Sequence, residues 1–177
     1  MKVTYEKLTE YQITRELFSS FNRHQEVTKC WRREEGRWRL KDIVFVEDWN
    51  EQEYAFLVKC LKNTVRTGGY VFGAFLEDKL VGFSSVESRH FGSGQQYVQL
   101  SCIHVSCESR GQHIGEHLFM LSCAAGRRLG AQKLYISAHS SMESQAFYHA
   151  MGCVEAREYD MELAKAEPCD CQLEKVL

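Results

Sequence analysis

The alternation of apolar and polar positions lays out most of the chain. Ile114, Leu118, Leu121, Ala125 and Leu129 recur at steps of four, three, four and four, which sets them on one face of an α-helix. Glu116 falls in its first turn, Arg127 and Arg128 in its last, and Gly130 just beyond, as the helix dipole and a glycine stop require. A helix beginning near Asn50 carries Tyr54, Leu57, Val58, Leu61 and Val65 inward, has Glu53 in the capping-box position and ends at Gly68-Gly69. Thr9 is read as the cap of an earlier helix, with Gln12 three residues on and Ile13, Leu17 and Phe21 on its buried side. Ser141 to Met151 reads as a short helix stopped at Gly152.

Between these lie runs with strand character. Val3–Tyr5, Tyr70–Leu76, Leu80–Glu87, Tyr97–Val105, Lys133–Ala138, Cys153–Met161 and Cys169–Val176 are expected strands. The polar turn Glu77-Asp78-Lys79 joins two of them as an antiparallel hairpin, Gly92-Ser93-Gly94 turns the chain again, and a loop containing Pro168 precedes the last strand. Residues 24 to 48 differ from the rest. There Val27–Trp31 and Trp38–Val46 flank the charged, glycine-bearing segment Arg32–Arg37, which predicts a long inserted hairpin. Its aromatics, Trp31, Trp38 and Phe45, with Trp49 beyond, suit a substrate lid, a subunit contact or plain packing on a sheet edge. A strand, helix and strand in succession normally make a right-handed crossover, so the runs on either side of the 114–129 helix are expected to lie parallel. The result is an α+β fold, α/β on a looser definition: a mixed, mostly antiparallel sheet of about seven strands with one central parallel join.

Composition narrows the class. With 177 residues, 44% hydrophobic and one proline, the chain suits a single domain over residues 1–177. A net charge of -2 points away from nucleic acid and from membrane surfaces, and Arg32-Arg33 and Arg127-Arg128 read as solvated surface. The opening Met1-Lys2-Val3-Thr4-Tyr5 has no apolar signal core, and no later run approaches the roughly 20 apolar residues of a membrane span. The expectation is a cytoplasmic protein whose eight cysteines are reduced thiols. Cys169 and Cys171 have strand spacing but no matching second pair, so no metal site is expected.

The candidate chemistry begins at Arg110-Gly111-Gln112-His113-Ile114-Gly115, between a strand and a helix. A glycine-bearing turn there leaves several backbone N–H groups unpaired in front of the positive end of the helix dipole, which makes a cradle for phosphate.

The element order, together with Ile103-His104-Val105-Ser106-Cys107-Glu108-Ser109-Arg110-Gly111-Gln112-His113-Ile114-Gly115 and the later Gln145-Ala146-Phe147-Tyr148-His149-Ala150-Met151-Gly152-Cys153, resembles the GNAT superfamily of acyl-CoA-dependent N-acetyltransferases. The resemblance covers about residues 2 to 177, except the hairpin, which is extra relative to a minimal member. It implies acetyl-CoA as co-substrate, no metal, and acetyl transfer to a primary amine, of a small molecule in the leading reading, by direct attack on the thioester. A protein N-terminus or lysine as acceptor, and a non-catalytic acyl-CoA-binding module, are the alternatives; a homodimer is compatible with any of them.

The same resemblance assigns roles. Ile103, His104 and Val105 belong to the strand whose backbone meets the pantetheine arm and the thioester oxygen. Arg110, Gly111, Gln112, His113, Ile114, Gly115 and Glu116 form the diphosphate turn. Ser141, Ser144 and Phe147 fall where further cofactor contacts are made, with Ser141 in the place of a common asparagine and Ser144 in that of a common alanine. In the family's turn, Arg or Gln, two residues, Gly, one residue, Gly or Ala, both Arg110 and Gly115 match and His113 replaces the middle glycine. His113 is therefore expected to hold a negative φ with its imidazole turned outward.

Tyr148 stands at the position of a general acid for the leaving thiolate, with the role of an ordinary core tyrosine as the alternative. The amine needs help too: an alkyl ammonium of pKa near 10.4 is unprotonated in only about one molecule in two to three thousand at pH 7, a handicap of roughly 4.6 kcal/mol. Gln99 and Ser101 take no proton, which leaves Glu87, His104, Glu47 or a chain of waters as candidate bases.

Overall fold

A computed structural model describes residues 2–177. In chain order the elements are β1 (Thr4–Lys7), a 3-10 turn (Glu16–Phe18), β2 (Gln25–Glu34), β3 (Arg37–Glu47), α1 (Glu51–Arg66), β4 (Tyr70–Leu76), β5 (Lys79–Val86) and β6 (Tyr97–Val105). A second 3-10 turn (Cys107–Ser109), α2 (Ile114–Arg128), β7 (Lys133–Ala138), α3 (Met142–Ala150), β8 (Val154–Glu155), α4 (Met161–Ala166) and β9 (Cys171–Val176) follow. Seven strands form one sheet in the order β1-β4-β5-β6-β7-β9-β8, antiparallel throughout except where β6 meets β7, and β2 pairs with β3 apart from it. No helix among the described residues is long and apolar enough to cross a membrane.

Helices cover both faces because successive strand residues point to opposite sides. On one side Tyr54, Leu57 and Leu61 of α1 pack with Ile13, Phe18 and Phe21 against Val71 and Phe83. On the other, Ile114, Leu118, Phe119, Cys123 and Ala125 of α2 pack on Phe72, Ala74, Val98 and Leu134. The caps explain where the helices start: Asn50 accepts from the amides of Gln52 and Glu53 while the Glu53 carboxylate accepts from the Asn50 amide, a complete capping box.

Three expected elements differ. The helix from Thr9 to Phe21 is a series of turns with only Glu16–Phe18 helical. Gln12 does reach back to the Thr9 amide and hydroxyl. Downstream, however, Thr14 accepts from the Leu17 amide, and the irregular path drops Ile13, Phe18 and Phe21 into one aromatic cluster that a regular helix would have split. The strand from Cys153 to Met161 shrinks to Val154–Glu155, because Asp160 accepts from the amides of Glu162 and Leu163 and starts α4, a helix the expectation lacked. The inserted hairpin is longer than expected, since its reversal needs only Glu35 (φ 49°) and Gly36 (φ 77°), a two-residue turn whose positive dihedrals match strand twist.

One buried carboxylate ties the far half of the sheet together. Glu174 on β9, 2% exposed, accepts from Tyr97 of β6, from the Lys133 ammonium of β7 at 2.7 Å and from the Arg157 amide at 3.2 Å. Burial pushes its carboxyl up, but these donors outweigh burial and hold it below the ordinary glutamate value, while burial and Glu174 push the Tyr97 phenol up to about 12. Replacing Glu174 by Ala leaves the Lys133 charge without its partner and is expected to cost about 3 kcal/mol in urea unfolding. Because the folded pKa is depressed, the wild-type contribution is whole above the unfolded carboxyl value of about 4.3 and is lost as pH falls through the folded one. The Ala variant should lack that acid-side decline.

Candidate active site

The site follows from an interrupted parallel pairing. Residues Tyr97, Val98 and Gln99 of β6 pair with Lys133, Leu134 and Tyr135 of β7, after which β6 runs on to Val105 and β7 to Ala138 without further pairs between them. On its other side β6 stays bonded to β5, with Ile103, His104 and Val105 opposite Ser84, Phe83 and Gly82. The free edge opens a cavity of about 850 Å³ lined by Ile103, His104 and Val105, by the 110–116 turn and by Tyr148.

At the mouth of α2, the backbone N–H groups of Gly111, Gln112 and His113 make no backbone hydrogen bond among the described residues, and Ile114, Gly115 and Glu116 occupy helical positions whose amides have no intrahelical acceptor. The turn therefore fits a diphosphate. The His113 expectation is corrected here: its φ is 60°, left-handed, like the 75° of Gly111. The reason is that residue 113 caps the helix from outside rather than opening it, and histidine tolerates this region better than most side chains. The imidazole still turns outward, 72% exposed, with Nδ1 2.9 Å from Glu116 Oε1. Arg110 donates through Nε to the Val105 carbonyl at 3.1 Å and through Nη2 to the Arg23 carbonyl at 3.0 Å, pinning the turn to the end of β6. Gln112 stands outside the cavity wall, its amide 3.5 Å from the Glu108 carbonyl.

Helix α3 supplies the facing wall. Ser144, Phe147 and Tyr148 line the cavity, whereas Ser141, fully buried, spends its hydroxyl on the cap: it accepts the Ser144 amide and donates to Ser144 Oγ. Burial pushes the Tyr148 phenol far up, with the neighbouring Cys153 and Cys102 adding to it. A tyrosine so placed stays protonated at every working pH. It is also a weak acid, but thiols in the same surroundings rise with it: burial pushes Cys102, on the cavity wall, up to about 11 and Cys153 up to about 12. A leaving thiolate there would be correspondingly basic, which keeps the proton transfer near balance.

The candidate bases are spread out. Glu87 lies behind the wall, its carboxylate accepting from Ser101 at 2.6 Å and Thr64 at 2.8 Å. His104 faces the cavity between Trp49 and Phe83, and burial, with the Arg23 and Arg110 charges, lowers it to about 3, too weak to hold an ammonium proton at neutral pH. Glu47 reaches the cavity from the base of the hairpin, its Oε1 3.3 Å from His139 Nε2 and its Oε2 4.0 Å from Arg23.

Several wall residues were not singled out from the sequence: Arg23, His139 and Asp170, whereas Trp49, named with the hairpin aromatics, does reach the cavity. Arg23 is 6% exposed, donates to Gln25 at 3.0 Å, leaves Nε without a partner and sits over the Trp49 ring. Asp170 and His139 come from opposite sides of the sheet's last crossover, and the one signal for either was its place at a strand end, where loops carry function.

A mixed sheet splayed at a parallel join, with a turn of free amides before the helix that follows, defines an acyl-CoA-type transferase fold. The Acetyltransferase (GNAT) family profile matches residues 18–153, and the chain belongs to that family of acetyltransferases. Among solved structures it is similar to nourseothricin acetyltransferase (17% identity, 98% of this chain and 96% of that one, TM-score 0.70). It is also similar to a candidate streptothricin acetyltransferase from Bacillus anthracis in complex with acetyl coenzyme A (12%, 100% and 99%, TM-score 0.74). A third likeness is to PaiA N-acetyltransferase from Thermoplasma acidophilum in complex with coenzyme A (13%, 100% of both chains, TM-score 0.60). At these identities the likeness is one of fold; no curated protein matches the chain in sequence.

The left-handed cap at His113 sets a test. His113→Gly should keep or raise stability by up to about 1 kcal/mol, and His113→Val should lower it by about 1–2 kcal/mol, read by denaturant unfolding. Equal stability of the two variants would mean that residue 113 carries no backbone strain.

Proposed function

We propose that this protein transfers the acetyl group of acetyl-CoA to a primary amine of a small molecule. One observation carries the reading: the turn of unpaired amides at Gly111 and 113–116, the free edge of β6 and Tyr148 share a single cavity, which supplies what a diphosphate, a pantetheine arm and a thioester require. Arg110 braces the turn, the amides of Gly111 to Glu116 hold the diphosphate, and the backbone of Ile103 to Val105 orients the thioester and donates to its oxygen. Tyr148 delivers a proton to the departing sulfur. Acetyl-CoA brings the activated acyl group, and the chain supplies position, exclusion of water and protons.

The acceptor side favours a small molecule. Gln25, Glu26 and Glu47 at the base of the hairpin form one wall of the cavity, and the hairpin is latched over α3 by the Trp31 amide on the Ser140 carbonyl at 2.8 Å and by Arg32 on the Ser140 hydroxyl at 2.6 Å. A flat protein surface would meet that latch before reaching Tyr148. The likeness to the nourseothricin and streptothricin acetyltransferases supports the same acceptor class. Eight free thiols support a reducing, cytoplasmic setting.

A panel of primary amines, assayed for release of free coenzyme A thiol, should yield turnover with at least one small amine; none across the panel, or no binding of acetyl-CoA by calorimetry, would overturn the reading. Tyr148→Phe should lower turnover of that amine about 100-fold at neutral pH with acetyl-CoA affinity nearly unchanged. Equal rates for the two proteins would remove Tyr148 as the acid.

A further inference from the structure

We infer that Asp170 is the group that takes the proton from the acceptor's ammonium. The inference rests on the acetyltransferase reading above and fills the one role that reading leaves without a residue. Six carboxylates line the cavity: Glu116 belongs to the diphosphate turn, where it meets His113, Glu143 is exposed in the first turn of α3, and Glu26, Glu47, Glu167 and Asp170 remain. They differ in how far their oxygens are engaged.

Glu47 has a basic side chain beside each oxygen. His139 Nδ1 accepts the Ser141 amide at 3.1 Å, which leaves the ring proton on Nε2, 3.3 Å from Glu47 Oε1, while Arg23 stands 4.0 Å from Oε2. Both Glu47 oxygens thus have basic side chains beside them, and the carboxylate is placed to anchor a cation. Glu26, at 79% side-chain exposure, is solvated, and Glu167 belongs to the exposed end of α4.

Asp170 is built differently. It is partly buried just before β9, and its Oδ2 accepts from the Ser137 hydroxyl at 3.0 Å. Ser137 Oγ accepts from Gln172 Nε2 at 2.9 Å, Gln172 Oε1 from the Tyr135 hydroxyl at 2.7 Å, and the Tyr135 oxygen from the Asp160 amide at 2.9 Å. Every hydrogen bond in this chain points toward Asp170, which fixes the carboxylate in place from the core side. Oδ1 accepts no hydrogen bond among the described residues. Burial also raises the Asp170 pKa, as do the neighbouring Glu167 and Glu47 charges, against the lowering effect of Ser137 and His139. Asp170 and Tyr148, the proposed base and the proposed acid, line the same cavity.

The step balances as follows. The ammonium gives one N–H proton to Asp170, which passes it to water. The freed lone pair forms the C–N bond to the acetyl carbon. The C–S bond breaks with its electron pair on sulfur, sulfur takes the Tyr148 proton, and the second proton lost by nitrogen restores Tyr148. Ammonium and thioester thus become amide, thiol and one proton in solution. Exclusion of water helps from both sides, since it lowers the pKa of the ammonium and raises that of the carboxyl.

The test uses the full chain and the fastest amine of the panel. Asp170→Asn keeps an acceptor for Ser137 but cannot take a proton. It should lower kcat/KM about 100-fold at pH 7 and abolish an acid limb that lies, in the wild type, above the ordinary aspartate range. Calorimetry should show acetyl-CoA affinity unchanged. The other titrating or charged groups near Asp170 are Glu47 on β3, His139 after β7, Tyr148 on α3, Glu167 after α4 and Cys171 on β9, the last with Arg32 of β2 beside it, so Glu47→Gln serves as the companion variant. It should raise the amine KM and leave the acid limb in place. If Asp170→Asn matches the wild type at every pH, or if Glu47→Gln removes the limb instead, Asp170 is not the base and the acetyltransferase reading stands. If the wild type itself binds acetyl-CoA yet acetylates nothing, both fall together.

Discussion

Three residue pairs hold β6 and β7 together, and then the strands separate. Much else in the molecule bears on that separation. A parallel pair broken after three rungs exposes unpaired backbone along one edge of β6, and unpaired backbone in an interior is costly unless a ligand or water satisfies it. The sheet survives the gap because its two halves are secured elsewhere: β6 by the antiparallel ladder to β5, and the β7-β9 half by the Glu174 carboxylate, which gathers Tyr97, Lys133 and the Arg157 amide at the first rung of the β6-β7 pairing. The clamp thus holds the closed end of the pair from which the gap opens.

The electrostatics of the cavity follow from its depth. Burial raises the Tyr148 phenol and the Cys102 and Cys153 thiols, which are neutral when protonated, and lowers His104, which would be charged when protonated. An acid and a leaving group in such a place are shifted together, and their difference, which governs proton transfer, changes much less than either value. The same environment separates the carboxylates by what touches them. Glu47 has a basic side chain beside each oxygen, whereas Asp170 has one oxygen fixed by Ser137 and the other without a hydrogen bond among the described residues.

The hairpin and the C-terminal segment complete the site although neither belongs to the strand-turn-helix unit at its centre. The hairpin is latched to the loop before α3 through Trp31 and Arg32, and to β8 through Arg33 on Glu155. Its base brings Glu47 against His139, and the turn after α4 brings Asp170 beside both. In the proposed arrangement the diphosphate turn and the thioester edge come from one stretch, residues 103–116, and the acceptor wall from segments as far apart as Glu47 and Asp170.

That contrast marks what the sequence alone determined. The α1 and α2 stripes, the β4-β5 hairpin, the parallel crossover and the turn at 110–115 are local: period, caps and glycines lie within a few residues of one another and speak for themselves. The seven-stranded sheet with its single parallel join followed from those same signals. Tertiary packing decided the rest. It unwound the segment at Thr9–Phe21 to bury Ile13, Phe18 and Phe21 together, let Asp160 start a helix where a strand was expected, and set His113 in a left-handed cap. It also took Ser141 out of the cavity by giving its hydroxyl to Ser144, and brought Arg23, His139 and Asp170 into it. No periodicity links those three residues, because their proximity is a property of how the sheet closes and not of any segment of the chain.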